Sequence, residues 1–431
     1  MGRYRYVFLG ILVLQASCPS WAADEYWNQF RGPRGDGTSS AKNLPVTFSE
    51  GSPEIVWKIP VPGRAWSSPV VWENQIWLTN GPEIENPTPE KPRPDHPLKL
   101  TALCLDLGTG KVLFDLHLFD IETPQFTHVT NSYASPTPYI EDGRVYLHYG
   151  AYGTACVNTH TGEVLWKRQD LPCDHFRGPG SSVAVYGDLL YLTMDGFDYQ
   201  YLVALDKQTG DTVWKQDRGI DYGTDDGDAK KAYSTPTLIH VNGQDQLVSP
   251  FAMATIAYNP LTGEPLWTVR HGGMNAAARP IFGHGLVYIN AADGKKPLLA
   301  VRPEGTGDIT DRIVWQTDKG VAKRSSPLLI DDLLFMVNDS GVASCLDAQT
   351  GQTLWSKRLG GDYWASPIAA NGLIYCCSQQ GGVPVFKAAR EFEMVAENQL
   401  DEGFNASPVV AGDSLILRSK THLYRIENRS K

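Results

Sequence analysis

The strongest constraint in this chain is a repeat. Residues 325–357, SSPLLIDDLLFMVNDSGVASCLDAQTGQTLWSK, form one complete unit of a pattern that recurs eight times. The unit opens with a small-small-Pro step and a strand, then an Asp331-Asp332 turn. A second strand with an aromatic at Phe335 and a Gly turn follow. A third strand ends in Asp347, a Thr350-Gly351 turn reverses the chain, and a fourth strand carries Trp355. Four short strands with regular turn signals make one antiparallel sheet. Such a sheet cannot bury both faces alone, so the copies must stack.

The other units read in the same way. The opening Pro recurs at Pro69, Pro136, Pro236, Pro280, Pro327, Pro367 and Pro408, with Val183 in the third unit. The second-strand aromatic recurs as Trp77, Tyr146, Tyr191, Tyr288 and Tyr375, with Leu417 in the last unit. The fourth-strand Trp recurs at Trp166, Trp214, Trp267 and Trp315 beside Trp355, with Phe114 in the first unit, and these are structural positions. The last unit, ASPVVAGDSLILRSKTHLYRI, stops after three strands, and its missing Trp strand is EIVWKIPV around Trp57. The expectation is an all-β, eight-bladed propeller over residues 54–431, closed by its N-terminal strand. Closure removes the edges through which sheets aggregate.

Residues 1–22 read as a secretory signal: Arg3 and Arg5, a short apolar run from Val7 to Leu14, then Ser20-Trp21-Ala22. That run is too short to span a bilayer. The protein is therefore expected to be exported, periplasmic or extracellular, with no transmembrane segment. Ala16-Ser17-Cys18 resembles the end of a lipobox, but Gln15 stands where an aliphatic residue is wanted; a lipid anchor at Cys18 would make the protein membrane-associated. Residues 23–53 form an arm containing WNQFRGPRGDG, expected to lie on the propeller through Trp27 and Phe30. A net charge of −10 and the lack of a basic stripe argue against nucleic acid.

Cys104, Cys156 and Cys345 each stand two residues before the turn Asp or Asn, where other units have Ala204 and Ala257. They read as small apolar fillers in separate blades. Cys173 has no evident partner. Cys376-Cys377 falls in a second strand, whose successive residues face opposite ways, and reads as two free thiols.

Long segments gather on one rim: the proline-rich 80–100 insertion and the inter-blade stretches 115–131 and 217–231. The residue three before each opening Pro should ring the channel mouth there: Trp66, Tyr133, Gly180, Tyr233, Ala277, Arg324, Trp364 and Asn405. With Lys323 and Arg177 nearby, this ring offers aromatic faces and cations for a protein, carbohydrate or small ligand. His128, Asn131, His148 and His175 lie in or beside the same loops but lack metal-ligand spacing. Asp221, Asp225, Asp226 and Asp228 form an acidic loop of clustered carboxylates, the candidate ligands for Ca²⁺, although its spacing departs from the twelve-residue calcium pattern and suits a solvated loop better. No nucleophile–base motif is present.

The LDAQTGQTLWSK and LDKQTGDTVWKQ segments with their small-small-Pro strands resemble the PQQ-type (quinoprotein) propeller repeat, over residues ~54–426. WNQFRGPRGDG ahead of such blades is similar to exported bacterial PQQ-like proteins. The resemblance implies two branches. One is the quinoprotein alcohol and sugar dehydrogenases, which hold pyrroloquinoline quinone on a Trp face beside Ca²⁺; Trp66 or Trp364 would be the platform and Arg324 a quinone contact. The other is the propeller lipoprotein of outer-membrane assembly, which binds proteins without a cofactor. Of the channel-mouth positions only Asn405 suits the calcium set, so the expectation is a binding or scaffold propeller with no cofactor. The dehydrogenase with PQQ and Ca²⁺ is the alternative.

Overall fold

A computed structural model describes residues 26–83, 88, 93–293 and 297–429. Residues 1–22, read above as a secretory signal and including Cys18, and part of the proline-rich insertion lie outside the described residues. Eight sheets follow one another around a central channel, each four-stranded apart from two that gain a fifth strand. The ring closes as the repeat requires. Ile55–Pro60 pairs antiparallel with His422–Glu427, with Trp57 opposite Arg425, so the N-terminal strand is the outer strand of blade 8.

The registers explain the repeat chemistry. In blade 6, Leu328, Phe335, Cys345 and Trp355 form one cross-strand row. The third-strand residue is small because aromatics flank it on both sides. Cys104 between Trp77 and Phe114, and Cys156 between Tyr146 and Trp166, repeat the arrangement. All three thiols are free and buried, and burial pushes each thiol pKa upward. In blade 8 the row is Trp57, Arg425 and Ile416, so Ile416 holds the place assigned to Leu417, one residue out of register. The strand of blade 7 ends at Tyr375, yet Cys376 N–H still reaches Pro384 O at 3.2 Å; Cys376 and Cys377 are free and buried.

Trp and Gly of the repeat serve the joint between blades. The indole N–H of Trp57, Trp166, Trp214, Trp315 and Trp355 donates to a backbone carbonyl of the next blade at 2.9–3.1 Å. For Trp57, Trp166, Trp214 and Trp315 the turn glycine of that next blade lies against the indole, whereas Trp355 packs on Phe392. A Cβ on Gly210, Gly263 or Gly351 would come within 2.6–2.7 Å of the ring, and all three have φ between +71° and +80°. Trp267 differs: it is 1% exposed and bonds Gln246 within its own blade.

Inside the ring, the residue just before each first strand joins its neighbour. The N–H of Ser68 donates to Thr137, Thr137 to Ser182, and Ser182 to Thr235, each to the side-chain hydroxyl. Arg279 donates to Ser326, Ser326 to Ser366, Ser366 to Ser407 and Ser407 back to Ser68, all at 2.9–3.0 Å. This belt explains the small-small-Pro step: the hydroxyl ties blades together and Pro, lacking an N–H, starts the strand. The belt lacks a hydroxyl at one place, Arg279.

The arm does not merely lie on the surface. Trp27 O accepts from Val71 N–H, Asn28 O from Ile140 N–H and Gly37 O from Ala369 N–H, so the arm crosses the innermost strands of blades 1, 2 and 7. Thr38–Ser39 adds a parallel strand to blade 7. Arg31 is buried and donates to the carbonyls of Asp36, Pro327 and Pro367. Arg279, at the belt gap, donates to Phe30 O at 2.7 Å. Residues 27–39 therefore plug the channel.

Candidate functional site

Above the plug the channel widens into a bowl of about 540 Å³. Phe30 from the arm and the belt hydroxyls Ser68, Thr137, Ser182, Thr235, Ser366 and Ser407 line its lower part. The residue two positions above the belt projects from each blade into the upper wall. Trp66, Gly180, Tyr233, Ala277, Arg324, Trp364 and Asn405 all line it, as do Lys323 and Arg177.

Tyr133 does not. It is 2% exposed, and its hydroxyl donates to Gln125 O while its ring packs edge-on to Tyr152. The sequence Ser135-Pro136-Thr137-Pro138 offers two prolines, and the strand starts after the second, at Tyr139. Counting from Pro138 puts Ser135 on the bowl, where it lies. The stretch 115–131 is also shorter as a loop than expected, because the fourth strand of blade 1 runs from Val112 to Ile121.

Blades 7, 8 and 1 place Trp364, Asn405 and Trp66 side by side. Arg324 lies over the Trp364 ring at 4.3 Å and Arg64 over Trp66 at 5.7 Å. Blades 3 to 6 contribute the polar wall. Lys323 Nζ meets Asp293 at 2.6 Å, Arg324 pairs with Asp339, and Arg177 meets Asp228 at 3.4 Å. Burial alone would raise the Asp293 pKa, but hydrogen bonds from Lys323 and Asn275 outweigh it and hold the carboxyl below its usual range. His128, which also lines the bowl, is kept below its ordinary pKa by burial and then by Arg177 and Arg324. Asp293, Asp339 and Asn275 were not singled out from the sequence. They sit in or beside short turns with no repeat signature, and only the closed ring brings them to the mouth.

Four lining residues hold a buried polar atom without a partner: Trp66 Nε1, Arg177 Nε, Tyr233 Oη and Asn275 Oδ1. Buried polar groups in folded proteins are nearly always bonded, so such a concentration at one cavity marks it as unfinished. A second depression of about 440 Å³ adjoins the bowl and shares Trp66, Thr130, Trp364 and Asn405 with it. Gly63, Arg64, Glu83, Gln379 and Lys420 line its outer part.

The acidic loop does other work. Asp221 accepts from Gly223 N–H, Asp226 caps the short helical turn Gly227–Lys230, and Asp228 pairs with Lys231 as well as Arg177. Asp225 stays exposed. Among the described residues no three His, Cys, Asp or Glu side chains converge on a point that would hold a metal ion. His148 and His175 are buried behind the wall, not on it.

Residues 99–217 and 198–431 match the family profile described as outer membrane protein assembly factor BamB. The tetrathionate hydrolase of Acidithiobacillus ferrooxidans is 24% identical over 345 residues, 75% of this chain; the match spans only 64% of that enzyme. Among solved structures, BamB from Moraxella catarrhalis aligns with a TM-score of 0.58 and 11% identity, over 86% of this chain and 99% of that one. A europium-containing methanol dehydrogenase aligns at 0.62 and 11%, over 93% and 91% of the two chains. The quinohemoprotein alcohol dehydrogenase from Comamonas testosteroni aligns at 0.64 and 9%, over 95% and 82%. At these identities the structural likeness shows the fold alone, shared by assembly factors and dehydrogenases.

Proposed function

The chain belongs to the family of outer membrane protein assembly factor BamB, and from that premise we propose that it is an exported, non-catalytic propeller that holds a polypeptide partner at the bowl and its adjoining depression. The observation that carries this reading is the walled cavity itself. It combines two indoles, three cations and unpartnered polar atoms on one rim, closed below by the arm. Aromatic and Arg side chains are the usual anchors of protein interfaces. Family membership favours a polypeptide over a carbohydrate, because the family is named for protein assembly.

The quinone–calcium alternative fits the residues poorly. Calcium takes six to eight oxygen ligands. The two carboxylates that line the bowl, Asp293 and Asp339, are each held by a cation. The Asn131 oxygen accepts from Ser132 and Ser135, and the Asn405 oxygen from Gln379. Freeing Asp339 would release Arg324 from the ion pair that holds it beside Trp364.

The test is site-specific photocrosslinking in cells. A photoreactive residue at 405 or 420 is expected to capture an envelope protein, and one at 142, in a first-to-second-strand turn on the opposite face, to capture none. Equal capture from both faces would defeat the reading. So would a calcium-dependent, saturable rise in Tm when the purified protein is titrated with pyrroloquinoline quinone.

A further inference from the structure

The bowl is closed below and continues on one flank. Its lower end is closed by Phe30 and, beneath it, by Arg31 clamped to the carbonyls of Pro327 and Pro367. Its flank opens, between Trp66 and Trp364, into the second depression, whose outer part runs past Arg64, Gln379 and Lys420. A cavity of this shape suits the end of a chain better than its middle. The end enters the bowl, and the rest leaves through the flank.

The chemistry of the bowl selects the kind of end. In a protein of net charge −10, the lining among the described residues carries three basic side chains, Arg177, Lys323 and Arg324, against two acidic ones, Asp293 and Asp339, with Asp228 paired to Arg177 beside them. Each of those cations has one carboxylate partner, and each retains further N–H donors: an ammonium has three and a guanidinium five. Three of the four unpartnered atoms, Trp66 Nε1, Arg177 Nε and Tyr233 Oη, are donors, though shut off from solvent behind the lining. The wall is therefore short of acceptors. A carboxylate supplies two acceptor oxygens and no donor, and an ionised acceptor makes the stronger bond. Along the flank, the Asn405 and Gln379 side-chain amides, bonded to each other at 2.8 Å, give the pairing groups that a peptide backbone uses.

We propose that the bowl captures the free C-terminal carboxylate of a polypeptide, with the preceding residues leaving between Trp66 and Trp364 over the second depression. The proposal rests on the polypeptide-binding reading above and narrows it to a chain end. The carboxylate sits against Lys323, Arg324 and Arg177, and the last side chain packs on the indoles.

The experiment uses purified mature protein and pools of fluorescent octapeptides sorted by their last residue. Each pool is made once as the free acid and once as the C-terminal amide, and binding is read by anisotropy. At least one acid pool should bind, with its amide twin at least ~10-fold weaker. Arg324→Gln should cost the acid pool a similar factor and so bring the acid–amide ratio close to one, with Tm within ~2 °C of the parent. Equal affinity for acid and amide would overturn the proposal. It would also fall if all pools failed at millimolar concentration, or if an acidic oligosaccharide such as oligogalacturonate bound in their place. Capture at residue 405 in cells together with acid–amide indifference would sink the chain-end proposal alone. Loss of both would remove the polypeptide reading as well.

Discussion

Asp195→Asn is the substitution whose consequence follows most directly from the packing. Arg218 and Asp195 are 3% and 1% exposed and meet in a two-pronged pair, Nε to Oδ1 at 2.8 Å and a terminal nitrogen to Oδ2 at 2.7 Å. Arg218 also donates to Ser249 at 2.9 Å and Tyr258 at 3.2 Å, and lies 4.6 Å from the Phe251 ring centroid. Burial opposes the charge on Arg218, but Asp195 and the Tyr258 hydroxyl outweigh it, so the guanidinium stays charged. Asparagine keeps the shape and removes the compensating charge. Breaking one side of a buried pair costs about 3–5 kcal/mol. The remaining Ser249, Tyr258 and Phe251 contacts place this case at the lower end. With an unfolding entropy of roughly 2.1 cal/mol/K per residue over ~400 ordered residues, the Tm should fall by about 4 °C.

The same pair anchors the wall of the bowl. Ala232 N–H donates to Asp195 O and Arg218 N–H to Gln200 O, at the two ends of the 217–231 loop. Asp195→Asn should therefore also speed proteolytic nicking within 219–226, which is mostly exposed. Scanning calorimetry and limited proteolysis read both effects. The double variant Asp195→Asn/Arg218→Met should recover at least half of the lost stability, because it removes the stranded charge. A Tm loss below ~1 °C, or a double variant no better than the sum of its singles, would refute the reasoning.

Two further predictions concern the ring. Gly351→Ala and Gly372→Ala both place a side chain at positive φ, +71° and +74°, but only Gly351 has a ring atom, of Trp315, at 2.6 Å. Urea unfolding should show about 1–2 kcal/mol for Gly372→Ala from backbone strain, and at least ~1 kcal/mol more for Gly351→Ala; equal losses would mean the indole–glycine contact is not tight. Burial holds His148 near a pKa of about 3, with His175 adding to the shift, and His175 and His271 near about 4. Their folded pKa values lie below the unfolded value near 6.5, so between pH 6.5 and 4 the unfolded chain binds more protons. Stability should fall as the pH is lowered across that window, by on the order of 3 kcal/mol per histidine, and His175→Gln should flatten the fall; an unchanged slope would contradict it.

The repeat was legible because it is chemistry written eight times. Trp, Gly and the opening Pro each meet a local demand that every blade makes, so strand order, closure and the channel-mouth position could be counted from the text. Errors came where a local signal was duplicated or faint. The two prolines of Ser135-Pro136-Thr137-Pro138 moved the blade 2 register and put Tyr133 where Ser135 stands. The last unit has no second-strand aromatic, so counting along the sequence points to Leu417 where Ile416 stands. Asp293 and Asp339 had no signal at all, because their role depends on Lys323 and Arg324, which come from the segment joining blades 5 and 6. The arm's apolar anchors are conspicuous in the sequence, and Trp27 is buried in the core as they imply. The arm's decisive residue is Arg31, whose partners are backbone carbonyls and so carry no side-chain signature.

The belt and the arm together explain why a cavity forms here. Seven of the eight junctions in the ring carry a hydroxyl-to-amide belt bond. At one junction Arg279 stands in place of the hydroxyl, and its guanidinium turns to the arm, bonding Phe30 O and Gln29. The sacrifice of one belt bond, about 1 kcal/mol net, is offset by two contacts that fix the plug. The plug in turn gives the channel a floor, and the floor turns a tube into a bowl. The sequence change that makes a binding site possible therefore sits in the scaffold, at Arg279 and Arg31, while the residues that would choose a ligand sit on the rim above. The two layers answer to different measurements: Arg279→Ser should restore belt chemistry and lower stability by loosening the arm, whereas Arg324→Gln should leave the arm and the melting temperature alone.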